Sequence, residues 1–130
     1  MRELLQSPAI PAPKFRYTPC VRSGPLYSVS GMVGLDPATG ALVAGGLVAE
    51  ARQILQNLRA ALPDYGVGLE HLVAARIYTT EFARFAEINQ VWEAFFADIA
   101  PPARTAVGVS ALPLAAAIEI EFTFYREQTA

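Results

Sequence analysis

A chain of 130 residues, 53% of them hydrophobic, is long enough to bury a core without staples and reads as one domain, residues 1–130. Its net charge of −2 and the lack of any basic run disfavour an electrostatic nucleic-acid binder. The single cysteine, Cys20, excludes an intrachain disulfide and a cysteine-rich metal site. No apolar run approaches the ~18 residues of a membrane span, and prolines break the short apolar stretch at the N-terminus, so the sequence reads as a cytoplasmic protein.

Residues 1–13 hold Pro8, Pro11 and Pro13 and read as a loosely attached, extended arm. The segment FRYTPCVRSGPLYSVSGMVGLD then predicts two strands joined by a turn at RSGP. LDPATGAL reads as a tight turn, with Pro37 presetting φ and Gly40 taking a left-handed position. In GGLVAEARQILQNLRAALPDYG, Leu47, Ala51, Ile54, Leu55, Leu58, Ala61 and Leu62 recur at helical spacing, and Pro63 and Gly66 are expected to end the helix. A strand follows at about 72–79. A second helix, RFAEINQVWEAFFADIA, places Phe85, Ile88, Trp92, Phe95 and Ile99 on one face before Pro101 and Pro102. Two strands, RTAVGVSAL and AAIEIEFTFY, complete the pattern.

The order ββαβαββ predicts an α+β sandwich, with both helices on one face of a sheet. In the last strand Ile118, Ile120, Phe122 and Phe124 alternate with Glu119, Glu121, Thr123 and Tyr125, so the carboxylates fall on the face away from the helices. In the strand before it, Thr105, Val107 and Val109 form the more apolar set. Arg104, Ala106, Gly108 and Ser110 form the other, so Arg104 and Glu119 are expected to share the non-helix face.

Arg104 and Glu119 are the candidate pair. A planar guanidinium fits a carboxylate bidentately, and a glutamate with a raised pKa can position and activate water. The plainer alternative is a surface salt bridge between two strands. Lys14, the only lysine, lies near the arm and is a poor Schiff-base candidate. His71, the only histidine, precedes a strand without a G-x-S-x-G elbow and reads as a surface residue. Metal ligands of the right kind and clustering are lacking, and GGLVAE lacks phosphate-loop spacing. Cys20 reads as a packed side chain, Tyr17 and Ser30 as strand positions, and Asn89 as a polar flank of the second helix.

YSVSGMVGLDPATGALV, EARQILQNLRAAL, FAEINQVWEAFF, PPARTAVGVSALP and IEIEF together resemble the Rid family, also called YjgF, of imine and enamine deaminases. The resemblance runs from about residue 15 to 125. It implies a chorismate-mutase-like fold and a homotrimer with ligand clefts between subunits. It implies that Arg104 grips a substrate carboxylate, that Glu119 orients or activates water, and that Tyr17, Ser30 and Asn89 line the cleft. The implied reaction turns a 2-aminoacrylate-type imino acid into a 2-keto acid and ammonia, with no metal or organic cofactor. Two other functions stay open: a non-catalytic trimer that senses or scavenges small carboxylates, and an RNA-directed activity, against which the acidic balance argues.

Overall fold

The computed structural model describes residues 1–128. Eight principal elements follow in chain order: β1 (Arg2–Leu5), β2 (Cys20–Ser23), β3 (Leu26–Met32), α1 (Leu47–Tyr65), β4 (Leu72–Thr79), α2 (Phe85–Phe95), β5 (Ala103–Gly108) and β6 (Ile118–Tyr125). The strands form one six-stranded sheet in the order β1-β2-β3-β6-β4-β5. Every neighbouring pair is antiparallel except β4 and β5, which run parallel with α2 as their crossover. This is the expected α+β sandwich, with one strand more than the sequence predicts.

The alternation in β6 is obeyed throughout. Ile118, Ile120, Phe122 and Phe124 are buried against the helices, beside Ala75 and Ile77 of β4. All seven apolar residues singled out in α1 are buried with them. The turn after β3 closes as its chemistry dictates: Gly40 has φ 73°, and the Ala38 amide donates to the Asp36 carboxylate at 2.8 Å.

Several expectations shift. The start of the arm is strand β1, paired to β2 from Arg2–Ser23 to Leu5–Cys20, and Ser7 anchors the chain beyond it by donating to Asp64 at 2.5 Å. Pro63 does not end α1. A proline in the last turn forfeits a single amide, and Gly66, left-handed at φ 81°, makes the stop by donating to Leu62 and Pro63 carbonyls. Helix α2 ends at Phe95, short of Ile99, and Phe96 rather than Phe95 is buried, its ring 4.7 Å from that of Trp92.

The largest difference concerns β5. Its parallel register sets Arg104 beside Ala75 and Ala106 beside Ile77, so Arg104, Ala106 and Gly108 face the helices. Thr105 and Val107 face outward instead. At the end of β5 the turn before α2 comes close: a Cβ on Gly108 would lie 3.3 Å from the Phe82 Cβ. The more apolar set is therefore the outer one.

Candidate functional site

The face of the sheet away from the helices carries a cleft of about 490 Å³ between β3, β6 and the segment before β6. Tyr17, Ser30 and Glu119 all line it, with Lys14, Gly31 and Leu114. Three local features build it. The β3–β6 register slips between Val29 and Met32, and this bulge turns Ser30 and Gly31 toward Glu119. Ser30 is locked there: its hydroxyl donates to the Thr18 carbonyl at 2.6 Å and its amide to the Pro19 carbonyl at 2.9 Å. Gly31 makes room for the acid, because a Cβ at that position would stand 2.8 Å from Glu119 Oε2.

Glu119 is half-buried. Burial, and after it the charge of Glu121, raises its pKa above the ordinary carboxylate value. Partial burial and the negative Glu119 raise the Tyr17 hydroxyl, which stays a neutral donor at working pH. Glu121 is held differently: Tyr78 donates to it at 2.5 Å and Arg76 stands 4.0 Å away. The two carboxylates of one strand face thus have unlike surroundings, and Glu119 is the one left without a hydrogen-bonding side chain among the described residues.

Arg104 is elsewhere. It lies on the opposite face of the sheet, its guanidinium 5.1 Å from the ring centre of Phe85 and 5.4 Å from that of Trp92. The expected shared face is corrected by the β4–β5 register, and the surface salt bridge falls with it. No carboxylate pairs with Arg104 among the described residues. Asn89, four residues after Phe85 and three before Trp92, stands half-buried on the same flank of α2. The candidate residues therefore form two groups, Tyr17–Ser30–Glu119 and Arg104–Asn89, separated by the sheet.

The remaining candidates resolve into structural roles. Cys20 is fully buried, and burial pushes its thiol up to about 12, far from a nucleophile's range. The His71 Nδ1 accepts the Gly68 amide at 2.9 Å. Among the described residues no three His, Cys, Asp or Glu side chains gather to hold a metal ion, and no helix is long and apolar enough to cross a membrane. Sequence reasoning missed Gly31, whose only signal is its place opposite a glutamate. It also missed the left-handed Leu114 and Ala115, at φ 60° and 56°, for which the residue types give no signal.

The fold is a mixed α+β sheet whose open cleft holds a half-buried carboxylate with no hydrogen-bonding side chain among the described residues. Residues 8–125 match the endoribonuclease L-PSP family, known also as YjgF, RutC or Rid, and the chain belongs to that family. It is 38% identical over 122 residues to a RutC family protein of Aquifex aeolicus, covering 93% of this chain and 96% of that one. It is 34% identical over 121 residues to the 2-iminobutanoate/2-iminopropanoate deaminase of Mus musculus, covering 93% and 89%. The crystal structure of E. coli TdcF with bound serine superposes with a TM-score of 0.89 at 27% identity, over 96% of this chain and 99% of that one.

Proposed function

We propose that this protein hydrolyses small 2-imino acids to 2-keto acids and ammonia, in a site completed by a second copy of the chain. The observation that carries the reading is the split itself. Glu119, Tyr17 and Ser30 share one cleft, while Arg104 presents an unpaired guanidinium on the other face of the sheet. A homotrimer would bring the Arg104 flank of one copy to the Glu119 cleft of the next. The outer sheet face carries exposed Leu4, Leu26, Val107 and Tyr125, as a subunit interface needs. The mouse relative's name supplies the substrate class.

In this reading Arg104 holds the carboxylate of the imino acid. Glu119 takes a proton from water as the water oxygen bonds to the C=N carbon. That proton passes to nitrogen to give the carbinolamine; Glu119 then carries the hydroxyl proton to the same nitrogen, the C–N bond breaks, and ammonia leaves as the C=O bond forms. Tyr17 and Ser30 fix the substrate against Glu119. Such imines already hydrolyse in water, so orientation and a base tuned upward by burial suffice.

The test is ammonia release from 2-iminobutanoate, generated in situ by an amino-acid oxidase. Wild type accelerates it; Arg104→Ala and Glu119→Gln are each at least about tenfold slower alone. Unfolded together and refolded as a mixture, the two variants regain part of the activity, because some interfaces join one intact half to the other. Failure of the mixture, with both variants folded, removes the shared site. The second reading is a carboxylate sensor, favoured by the serine bound to TdcF. It predicts 2-keto-acid binding without turnover.

A further inference from the structure

Glu50 is the only charged side chain buried among the described residues, at 4% exposure, and the cleft residues do not include it. A buried carboxylate is costly unless it is hydrogen-bonded, so its partner matters. Its Oε1 accepts the amide of Ala117 at 2.8 Å. The Ala117 carbonyl accepts the Thr79 hydroxyl at 2.7 Å and the Thr80 amide at 3.1 Å. Both polar groups of this one residue are thereby fixed, from α1 on one side and the end of β4 on the other.

What lies on either side of Ala117 gives the contact its consequence. Leu114 and Ala115, just upstream, hold left-handed torsions that non-glycine residues avoid and that persist only where the surroundings impose them. Leu114 also lines the cleft. Two residues downstream stands Glu119. The opposite wall meets the same turn of α1: a Cβ on Gly34 would lie 2.8 Å from the Glu50 Cα, and Gly34 sits between Val33 and Leu35, which line the cleft. The same turn of α1 thus touches both the segment after β3 and the segment before β6.

We propose that Glu50 is a positioning residue for Glu119, its buried carboxylate holding the 113–117 segment so that the Glu119 carboxyl is aimed into the cleft. The effect on turnover rests on the deaminase reading; the contact and its effect on the segment do not. The amide of Glu50→Gln keeps an oxygen that can accept the Ala117 amide, whereas Glu50→Ala leaves that amide unpaired. Displacements of about 1 Å at a reacting group cost on the order of 100-fold in rate. Glu50→Ala is therefore expected to lower kcat on 2-iminobutanoate by about 10- to 100-fold. Its KM should stay within about twofold, because Arg104 stands on another element. Glu50→Gln should recover most of the kcat.

Amide exchange at Ala117 supplies the readout independent of activity: fast in Glu50→Ala, protected in wild type and Glu50→Gln. Should Glu50→Ala not fold, Thr79→Val frees the Ala117 carbonyl instead: kcat should fall by less, since Thr80 still donates, and the Ala117 amide should stay protected by Glu50, so fast Ala117 exchange in this variant would overturn the proposal. Retained kcat in Glu50→Ala, or Glu50→Gln as damaged as Glu50→Ala, overturns the proposal. A wild type that folds but does not turn over imino acids defeats the deaminase reading instead. In that case Ala117 exchange still decides the Glu50 contact, and slow exchange in Glu50→Ala overturns it.

Discussion

Two regions of this molecule bear its polar chemistry, and they are built on opposite plans. The Glu119 cleft is crowded and irregular, with a bulge in β3, a glycine against the acid and left-handed residues in the segment before β6. The Arg104 flank is regular: a parallel strand, an α-helix and a cation spread over two aromatic rings. Irregular backbone is where a group must be aimed and its pKa shifted. Regular backbone suffices where a permanent charge has only to be presented, since a guanidinium stays protonated in any surroundings.

Replacements on the two sides should therefore fail differently. If the protein is the proposed deaminase, the largest effect is expected from Glu119→Gln, which would remove the base and cut kcat by about 100- to 10,000-fold with little change in KM. Steady-state kinetics on in situ imino acids checks this, and an unchanged kcat takes Glu119 out of the mechanism. Arg104→Ala comes next. Loss of a charge-assisted pair worth about 1.5–3 kcal/mol should lower kcat/KM roughly 10- to 100-fold. Because Arg104 is exposed, thermal stability should move by less than about 0.5 kcal/mol. A variant that unfolds or dissociates would make Arg104 a strut instead.

Gly31→Ala distinguishes the two plans through packing. Its methyl meets the end of the Glu119 side chain, which can swing aside, so denaturant titration should show a loss below about 1 kcal/mol while kcat falls because the acid is mispointed. A methyl at the open Gly24 turn meets nothing within 4 Å, but its φ of 59° gives it a strain penalty of its own.

The smallest effect is on stability against pH. The folded-state pKa of Glu119 is raised, so the folded chain binds this proton more tightly than the unfolded one. Its contribution is present at acidic pH and is lost as pH rises from the unfolded value through the raised one. Glu119→Gln should flatten that slope in a series of melts, and a parallel curve for the variant would contradict the shift. The acid limb of kcat should lie above the ordinary glutamate value for the same reason.

Much of the fold was legible because burial enforces period. In β6 a slip of one residue would put four large apolar side chains in water, so the faces could be read from sequence alone. The same rule misled at β5. Ala106 and Gly108 face inward because the parallel register with β4 sets them there, and hydrophobicity counts cannot see a register. The face of Arg104 depends on a register with β4, set some thirty residues away in the chain. Glu50 and Asn57 were also opaque. On an apolar helix face they look like its margin, yet both are buried because single backbone groups in distant loops require them: Asn57 donates to the Leu35 carbonyl at 2.7 Å. β1 was hidden for a simpler reason, being four residues long and followed by prolines.

That short first strand leaves the sheet with two unlike margins. Strand β1 carries Glu3, which pairs with Arg22 at 3.0 Å, and the chain turns away after Leu5 toward Ser7 and Asp64. A brief, charged border offers little template for a stray strand, so the end of the sheet farthest from Arg104 is guarded against fibril-like addition. Clipping residues 1–5 would uncover β2 and its row of free amides and carbonyls. The first sign of damage would then be self-association of the purified protein, ahead of any loss of its fold.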